Sequence, residues 1–447
     1  MNTAYCPAIL IAAPASGQGK TTVTSALARL YTRRGLKVRV FKCGPDFLDP
    51  YWHQLASGMP VYQLDLWMTG EKDCRERLYQ AACDADLILV EGVMGLFDGQ
   101  PSAADLAQRF GLPVLAVVDA SAMAGTFGAL SWGLQNYQQN LPWAGVLANR
   151  VASAGHARML QDSVREPAHW LGAVMRNAAI TLPERHLGLT VASEVPDALQ
   201  RLDAAADALA VTPRGLMTQA DLQRWRVAFS APPDATPADA DLLKGTTIAI
   251  ARDAAFCFIY SANLDCLRSM GAELVYFSPL ADAALPACDA LWLPGGYPEL
   301  HAHTIAANTA MRDSLAAHIA ANKPVWAECG GMMALFDDIT AKDGTVQALW
   351  GLLPGRVTMQ QRLAALGPQQ LSLDGGTLRG HTFHYSSTAT SLQAVARTSR
   401  PGADPVPDAG EALWQMGSVC ASYFHAWFAS CPKAAAALFS AGGDVKR

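Results

Sequence analysis

From residue 8 onward, short apolar runs alternate with longer amphipathic stretches: Ala8–Ala13, Val38–Lys42, Leu87–Glu91, Val114–Asp119, Ala144–Asn149 and Leu171–Met175. Continuous apolar runs of this length, separated by helical patterns such as Val23–Tyr31, predict parallel strands with helices on both faces of a sheet. The Ala-rich stretch Leu202–Val211 is expected to be a helix closing this region. From Phe229 to Asp241 the chain turns to Ser, Ala, Pro, Asp and Thr, poor in large apolar residues, which predicts a linker. The alternation then restarts with Thr246–Ala251, Glu273–Phe277, Ala290–Leu293 and Val325–Glu328, and becomes strand-rich through His381–Tyr385 and Ser418–Phe424. The expected organisation is an α/β domain over 1–228, a linker over 229–244 and a second α/β domain over 245–447. No internal repeat is present.

A chain of 447 residues agrees with more than one core. With 51% hydrophobic and 16% charged residues it has the material for a large interior. The formal charge of −5, with acids and bases interspersed, supplies neither a basic stripe for nucleic acid nor a polybasic membrane patch. The first apolar run is short and lacks a basic leader, so a first strand is expected there rather than a signal peptide or a membrane span. The ten cysteines contain no C-x-x-C pair, which argues against a zinc ribbon or a secreted disulfide framework and favours the cytoplasm.

Chemistry begins where the first strand ends. Ile9 to Thr22 reads as an apolar strand, a loop of small residues and then Gly19-Lys20-Thr21-Thr22 at a helix start. Such a loop wraps backbone N–H groups around phosphates. Gly17 and Gly19 supply the unusual backbone angles, Lys20 the charge and Thr21 a hydroxyl for Mg²⁺, with Thr22 beside it. Pro14 stands where the strict pattern has glycine. ATP is the expected ligand. The second and third strands run into acids, Asp46 and Asp49 after Lys42-Cys43-Gly44-Pro45, and Glu91 before Gly92. Strand ends converge on one crevice in a doubly wound sheet, and Mg²⁺ takes hard oxygen ligands, so Asp46, Asp49 and Glu91 are the metal candidates. Asn149, at another strand end, is a candidate for adenine recognition.

The second domain carries a different chemistry. Pro324-Val325-Trp326-Ala327-Glu328-Cys329-Gly330-Gly331 is a strand entering a glycine turn with a thiol at its apex, in the manner of a nucleophile elbow. A helix N-terminus there is expected to favour the thiolate, with His425 as the base. The backbone N–H groups of Gly296, in Leu293-Pro294-Gly295-Gly296, and of Gly330 are the candidate oxyanion hole. His301 and His303, in an expected loop, lack a third metal ligand nearby. His381 and His384, three apart on a strand, are expected on opposite faces.

A Mg²⁺–ATP site and an amide-cleaving cysteine in one chain suggest glutamine-dependent amidation. The phosphate loop, Lys42–His53, Glu91–Gly99, Leu182–Leu189, Ala251–Tyr260, Pro294–Glu299, the Cys329 elbow and Ser422–His425 together resemble the cobyrinic and hydrogenobyrinic acid a,c-diamide synthases over essentially the whole length. The resemblance implies a P-loop NTPase-like, dethiobiotin-synthetase-like amidoligase domain followed by a class I glutamine amidotransferase-like domain. It implies that ATP phosphorylates the a and c acetate carboxylates of a corrinoid polyacid, and that ammonia from glutamine displaces the phosphate. It further implies a Cys329–His425 pair without a third member, since Ala426-Trp427 follows the histidine where most class I relatives carry Pro-Glu. A homodimer stays open. The rivals are a nickel-sirohydrochlorin a,c-diamide synthase and, from another class, a partitioning-type ATPase switch, which has no use for Cys329 or His425.

Overall fold

The computed structural model describes residues 2–185, 188–212, 219–232, 241–406 and 409–440. The chain divides into two compact units, Met1–Ala235 and Thr236–Arg447.

In the first unit seven parallel strands lie in the order Tyr62–Leu64, Val38–Cys43, Leu87–Glu91, Thr3–Ala12, Val114–Asp119, Trp143–Val151, Trp170–Met175. The apolar runs read as strands because both of their faces are covered. Along Thr3–Ala12, Ala8, Leu10 and Ala12 enter one core while Ile9 and Ile11 enter the other. The helix expected over Val23–Tyr31 spans Lys20–Arg33, and the Ala-rich helix spans Ala198–Ala210.

The linker expected over 229–244 needs correction at both ends. Arg226–Ser230 is a strand, antiparallel to the first half of the opening strand, with Phe229 opposite Ala4. Val227 and Phe229 are buried while Arg226 and Ala228 are exposed, a two-residue period too short to stand out beside the Pro- and Ala-rich segment after it. At the far end Leu243 is buried in the second unit's core. Residues 233–240, half of the expected linker, lie outside the described residues, as do His186 and Leu187 of the Leu182–Leu189 segment.

The second unit has its own sheet, ordered Glu273–Phe277, Thr247–Ala251, Ala290–Leu293, Val325–Glu328, Val419–Ser422, Ala412–Met416, Ala394–Arg397. The first five strands are parallel and the last two antiparallel. A smaller antiparallel sheet of Ala365–Leu373, Gly376–His384 and His425–Trp427 brings His381 opposite His425. Among the described residues no helix is long and apolar enough to cross a membrane.

Candidate functional sites

In the first unit, the carboxyl ends of the parallel strands open into a cavity of about 1050 Å³. Gly17, Gly19, Lys20, Thr21, Thr22, Asp46, Asp49, Glu91 and Asn149 all line it, so every residue assigned to this site from sequence reaches one place. Gly17 and Gly19 have φ of +76° and +94°, in the left-handed region. Lys20 Nζ bonds the carbonyls of Met94 (2.6 Å) and Ala15 (3.2 Å), and burial pulls its ammonium below its ordinary value.

Asn149 is at its strand end as expected, but its amide is already engaged. Nδ2 donates to the Gln18 carbonyl at 2.8 Å, and Oδ1 accepts from the Arg150 N–H at 2.9 Å. In this arrangement it braces the phosphate loop, and the two bonds use one N–H and one lone pair of an amide that carries two of each. A Cβ on Gly19 would lie 2.2 Å from Asn149 Nδ2. Gly19→Ala is therefore expected to weaken ATP binding about tenfold, because a non-glycine residue at that φ costs about 1–3 kcal/mol besides the clash. Calorimetric titration with ATP checks it.

The acids surround Lys42, to which the sequence pattern alone assigns no role. Lys42 Nζ lies 2.5 Å from Asp49, 2.9 Å from Glu91 and 3.7 Å from Asp46. Against burial, which opposes its charge, Asp49, Glu91 and Asp46 hold the Lys42 ammonium well above its ordinary value. Glu91 is fully buried and accepts from Thr21 Oγ1 at 2.9 Å, and its other oxygen meets His53 Nε2. Burial favours its neutral form, but Lys42 and then His53 keep Glu91 well below the usual carboxylate range. His53, also missed, is fixed from its other side by Ser25 Oγ at 2.9 Å. Three acids face two lysines, Lys42 and Lys20, which leaves surplus negative charge. The site is short of positive charge, which fits a hard divalent cation arriving with phosphate. No group of three or more His, Cys, Asp or Glu among the described residues forms a ready cage by itself. Mg²⁺ commonly takes one or two carboxylates and completes its shell with phosphate oxygens and water.

In the second unit Cys329 ends the strand Val325–Glu328 with φ +44° and ψ −109°, the strained turn expected of an elbow. Its N–H donates to the Ser422 carbonyl at 2.8 Å, tying the elbow to the neighbouring strand. Glycines are required behind it: a Cβ on Gly331 would lie 2.1 Å from the Leu293 carbonyl oxygen, and one on Gly330 would lie 2.7 Å from Gly296 N. The two candidate oxyanion donors thus stand in adjacent, closely packed backbones. The Gly295–Tyr297 loop is held by Phe258 N–H to Gly295 O and Tyr297 N–H to Ala255 O, both 2.9 Å.

Two expectations change here. The helix after Cys329, Gly330–Met333, is one turn long and offers little dipole, and burial, then Glu299, pushes the thiol up rather than down. His301 and His303 lie on the helix Pro298–Ala307, not in a loop. His425 is fully buried, and its Nδ1 lies 3.7 Å from Glu328 Oε2. His381 stacks on it with centroids 4.9 Å apart at 18° and takes a 2.7 Å hydrogen bond between its Nε2 and the Tyr260 hydroxyl. His384 pairs instead with Glu411 at 3.1 Å. The missed acid did have a sequence signal. Glu328 ends an apolar strand just before a glycine turn's nucleophile, the same kind of position that singled out Glu91.

Residues 9–189 match the family described as CobQ/CobB/MinD/ParA nucleotide binding domain, and residues 247–432 the CobB/CobQ-like glutamine amidotransferase domain. Full-length relatives exist. A hydrogenobyrinate a,c-diamide synthase of Stutzerimonas stutzeri is 56% identical, covering 98% of this chain and 99% of its own. Another so named from Pseudomonas aeruginosa is 54% identical over 100% of both chains. A cobyrinate a,c-diamide synthase of Herminiimonas arsenicoxydans is 49% identical, covering 97% of this chain and 96% of its own.

Proposed function

Because the chain belongs to the a,c-diamide synthase family of glutamine-dependent ligases, we propose that it amidates the a and c acetate carboxylates of a corrinoid polyacid, using ATP and glutamine, in cobalamin biosynthesis. The amidoligase is assigned to the first unit and the glutaminase to the second. The observation that carries this reading is the pairing, within one chain, of a phosphate loop under clustered acids with a cysteine on a strained elbow. A partitioning-type switch would need only the first. Metal-free hydrogenobyrinic acid is the proposed ring, since the relatives at 56% and 54% identity bear that name.

Gly17, Gly19, Lys20, Thr21 and Thr22 would hold the triphosphate. Mg²⁺ would be held by Thr21 and by carboxylates from Asp46, Asp49 and Glu91, and when bound it neutralises charge on the transferring phosphoryl group. Lys42, drawn between Asp49 and Glu91, is positioned to release one of them to the metal and to turn its own charge toward the acetate. An acetate oxygen attacks the γ-phosphorus and ADP leaves. Ammonia then attacks the acyl carbon and phosphate leaves, so each amide consumes one ATP and one glutamine.

In the glutaminase, the Cys329 thiol gives its proton to His425 as sulfur attacks the glutamine amide carbon. Gly296 and Gly330 N–H groups face the oxyanion, and the protonated histidine returns its proton to the departing nitrogen as ammonia. Water hydrolyses the thioester to glutamate. A thiol held protonated by burial suits an enzyme that attacks only after substrate has entered.

Incubation of the protein with hydrogenobyrinic acid, MgATP and glutamine is expected to replace two carboxylic acids per ring by amides, with two ADP formed, by mass spectrometry and nucleotide chromatography. Faster turnover of the cobalt-containing ring would reassign the substrate to cobyrinic acid. No amidation of either ring would overturn the proposal.

A further inference from the structure

We propose that Glu328 is a positioning residue of the glutaminase, its carboxylate orienting the His425 imidazole and balancing the charge that ring gains on taking the Cys329 proton. The inference rests on the Cys329–His425 reading above. The chain after His425 carries Ala426 and Trp427, so an acid two residues downstream is missing. The fold brings one from the neighbouring strand instead. Val325–Glu328 pairs in parallel with Val419–Ser422, Glu328 opposite Ser422, and the chain returns within three residues to His425.

Geometry fixes which oxygen does what. Glu328 is 2% exposed. Its Oε1 accepts from Trp326 Nε1 at 2.7 Å and from the Ala426 N–H at 3.3 Å, and these bonds lock the carboxylate plane. That leaves Oε2 on the side of His425 Nδ1, at 3.7 Å. This separation is an ion-pair contact rather than a hydrogen bond, and such catalytic contacts commonly shorten once substrate is seated. A carboxylate buried without a charged partner is costly, so its retention beside a histidine is itself informative. With Nδ1 turned to Glu328, Nε2 is the nitrogen that would exchange a proton with sulfur. The S–H bond breaks and the N–H bond forms there, and the proton later leaves with ammonia.

The other charged and titratable groups around the ring serve differently. His381 stacks on it, but burial and then His425 itself hold His381 well below its ordinary value, so it stays neutral beside an imidazolium. Glu411 responds to the His425 charge, yet its carboxylate already binds His384 and Thr382. Glu299 acts on Cys329, where it disfavours a bare thiolate. Among the described residues, Glu328 makes an ion-pair contact with the ring.

Glu328→Gln keeps an oxygen for Trp326 and Ala426 and removes the charge. Glutamine hydrolysis is expected to fall about a hundredfold in kcat with KM for glutamine unchanged, less than the roughly 10⁴-fold typical when a directly bonded triad acid is lost. The sign for pH follows from charge. A carboxylate beside the ring favours the imidazolium, so its removal is expected to move the acid limb of kcat/KM to lower pH. Ammonia-driven amidation, run in parallel, should not change, nor should Tm by more than a few degrees. Glutaminase within threefold of the parent with an unshifted limb would overturn the inference. So would a rate loss without a pH shift, or one accompanied by loss of the ammonia reaction, since either marks a structural role. If Cys329→Ala retains glutamine hydrolysis, the glutaminase reading itself fails, a result distinct from a silent Glu328→Gln.

Discussion

Cys329→Ala is expected to lower glutamine-driven amidation by at least about 10³-fold while amidation driven by ammonium salt persists near the parent rate, as loss of a covalent nucleophile removes one nitrogen source and not the ligase chemistry. The variant is well suited to the test. Cys329 sits on a backbone shaped by its neighbours, with Gly330 and Gly331 packed against Gly296 and Leu293, so the elbow does not depend on the sulfur. Alanine at φ +44° bears the same strain as cysteine, which keeps the comparison one of chemistry rather than folding. Glutamate release and amide formation are measured separately for each nitrogen donor. Equal loss with both donors would show that the thiol matters for structure alone. Selective loss would also exclude a switch-type ATPase, which has no nitrogen donor to distinguish.

What was legible in the sequence, and what was not, divides by the range of the contacts involved. The strand ends at Glu91 and Cys329 were readable because an apolar run stops at a residue that an apolar run does not need, and a glycine follows. The phosphate loop was readable because its residues are consecutive. Lys42 and His53 were not, since their meaning comes from Glu91 on a strand that pairs with Val38–Cys43 only after the helices Asp49–Ser57 and Glu71–Asp84 and the strand Tyr62–Leu64. A lysine next to Val40-Phe41 in a strand of a two-faced sheet was nevertheless a signal: at 2% exposed it is a buried charge, which requires acidic company. His381 was set aside by correct alternation geometry, since His381 and His384 do go to different partners, His425 and Glu411. Alternation says which residues share a face and not what stands opposite. That comes from the antiparallel register of Gly376–His384 with His425–Trp427. Phe229 was lost to the linker for the converse reason, an apolar alternation beside a Pro- and Ala-rich segment.

Glu91→Gln should suppress amidation from glutamine and from ammonia alike, by about 10² to 10⁴-fold, each ~1.4 kcal/mol of lost charge stabilisation being a factor of ten in rate. The buried Glu91 carboxylate takes Thr21 and Lys42 on one oxygen and His53 on the other. Gln would offer His53 or Lys42 an N–H where each has a carboxylate oxygen, and would leave Lys42 balanced by Asp49 and Asp46 alone. The triphosphate would then meet a site with one negative charge fewer to share between lysine and metal. Loss of a buried pair's partner also destabilises, by about 3–5 kcal/mol in typical cases, so the variant needs a fold control. Glutamine hydrolysis, proposed for Cys329 in the second unit, supplies it, together with the melting temperature. Retained hydrolysis with both amidation reactions lost places the defect in phosphoryl transfer. Titrating Mg²⁺ then separates the two roles of the acid, because a ligand defect is relieved by excess metal while a misplaced Lys42 is not. Most of the ammonia-driven turnover surviving in Glu91→Gln would remove Glu91 from the ligase chemistry, leaving the carboxylate as the structural counter-ion of Lys42 and His53.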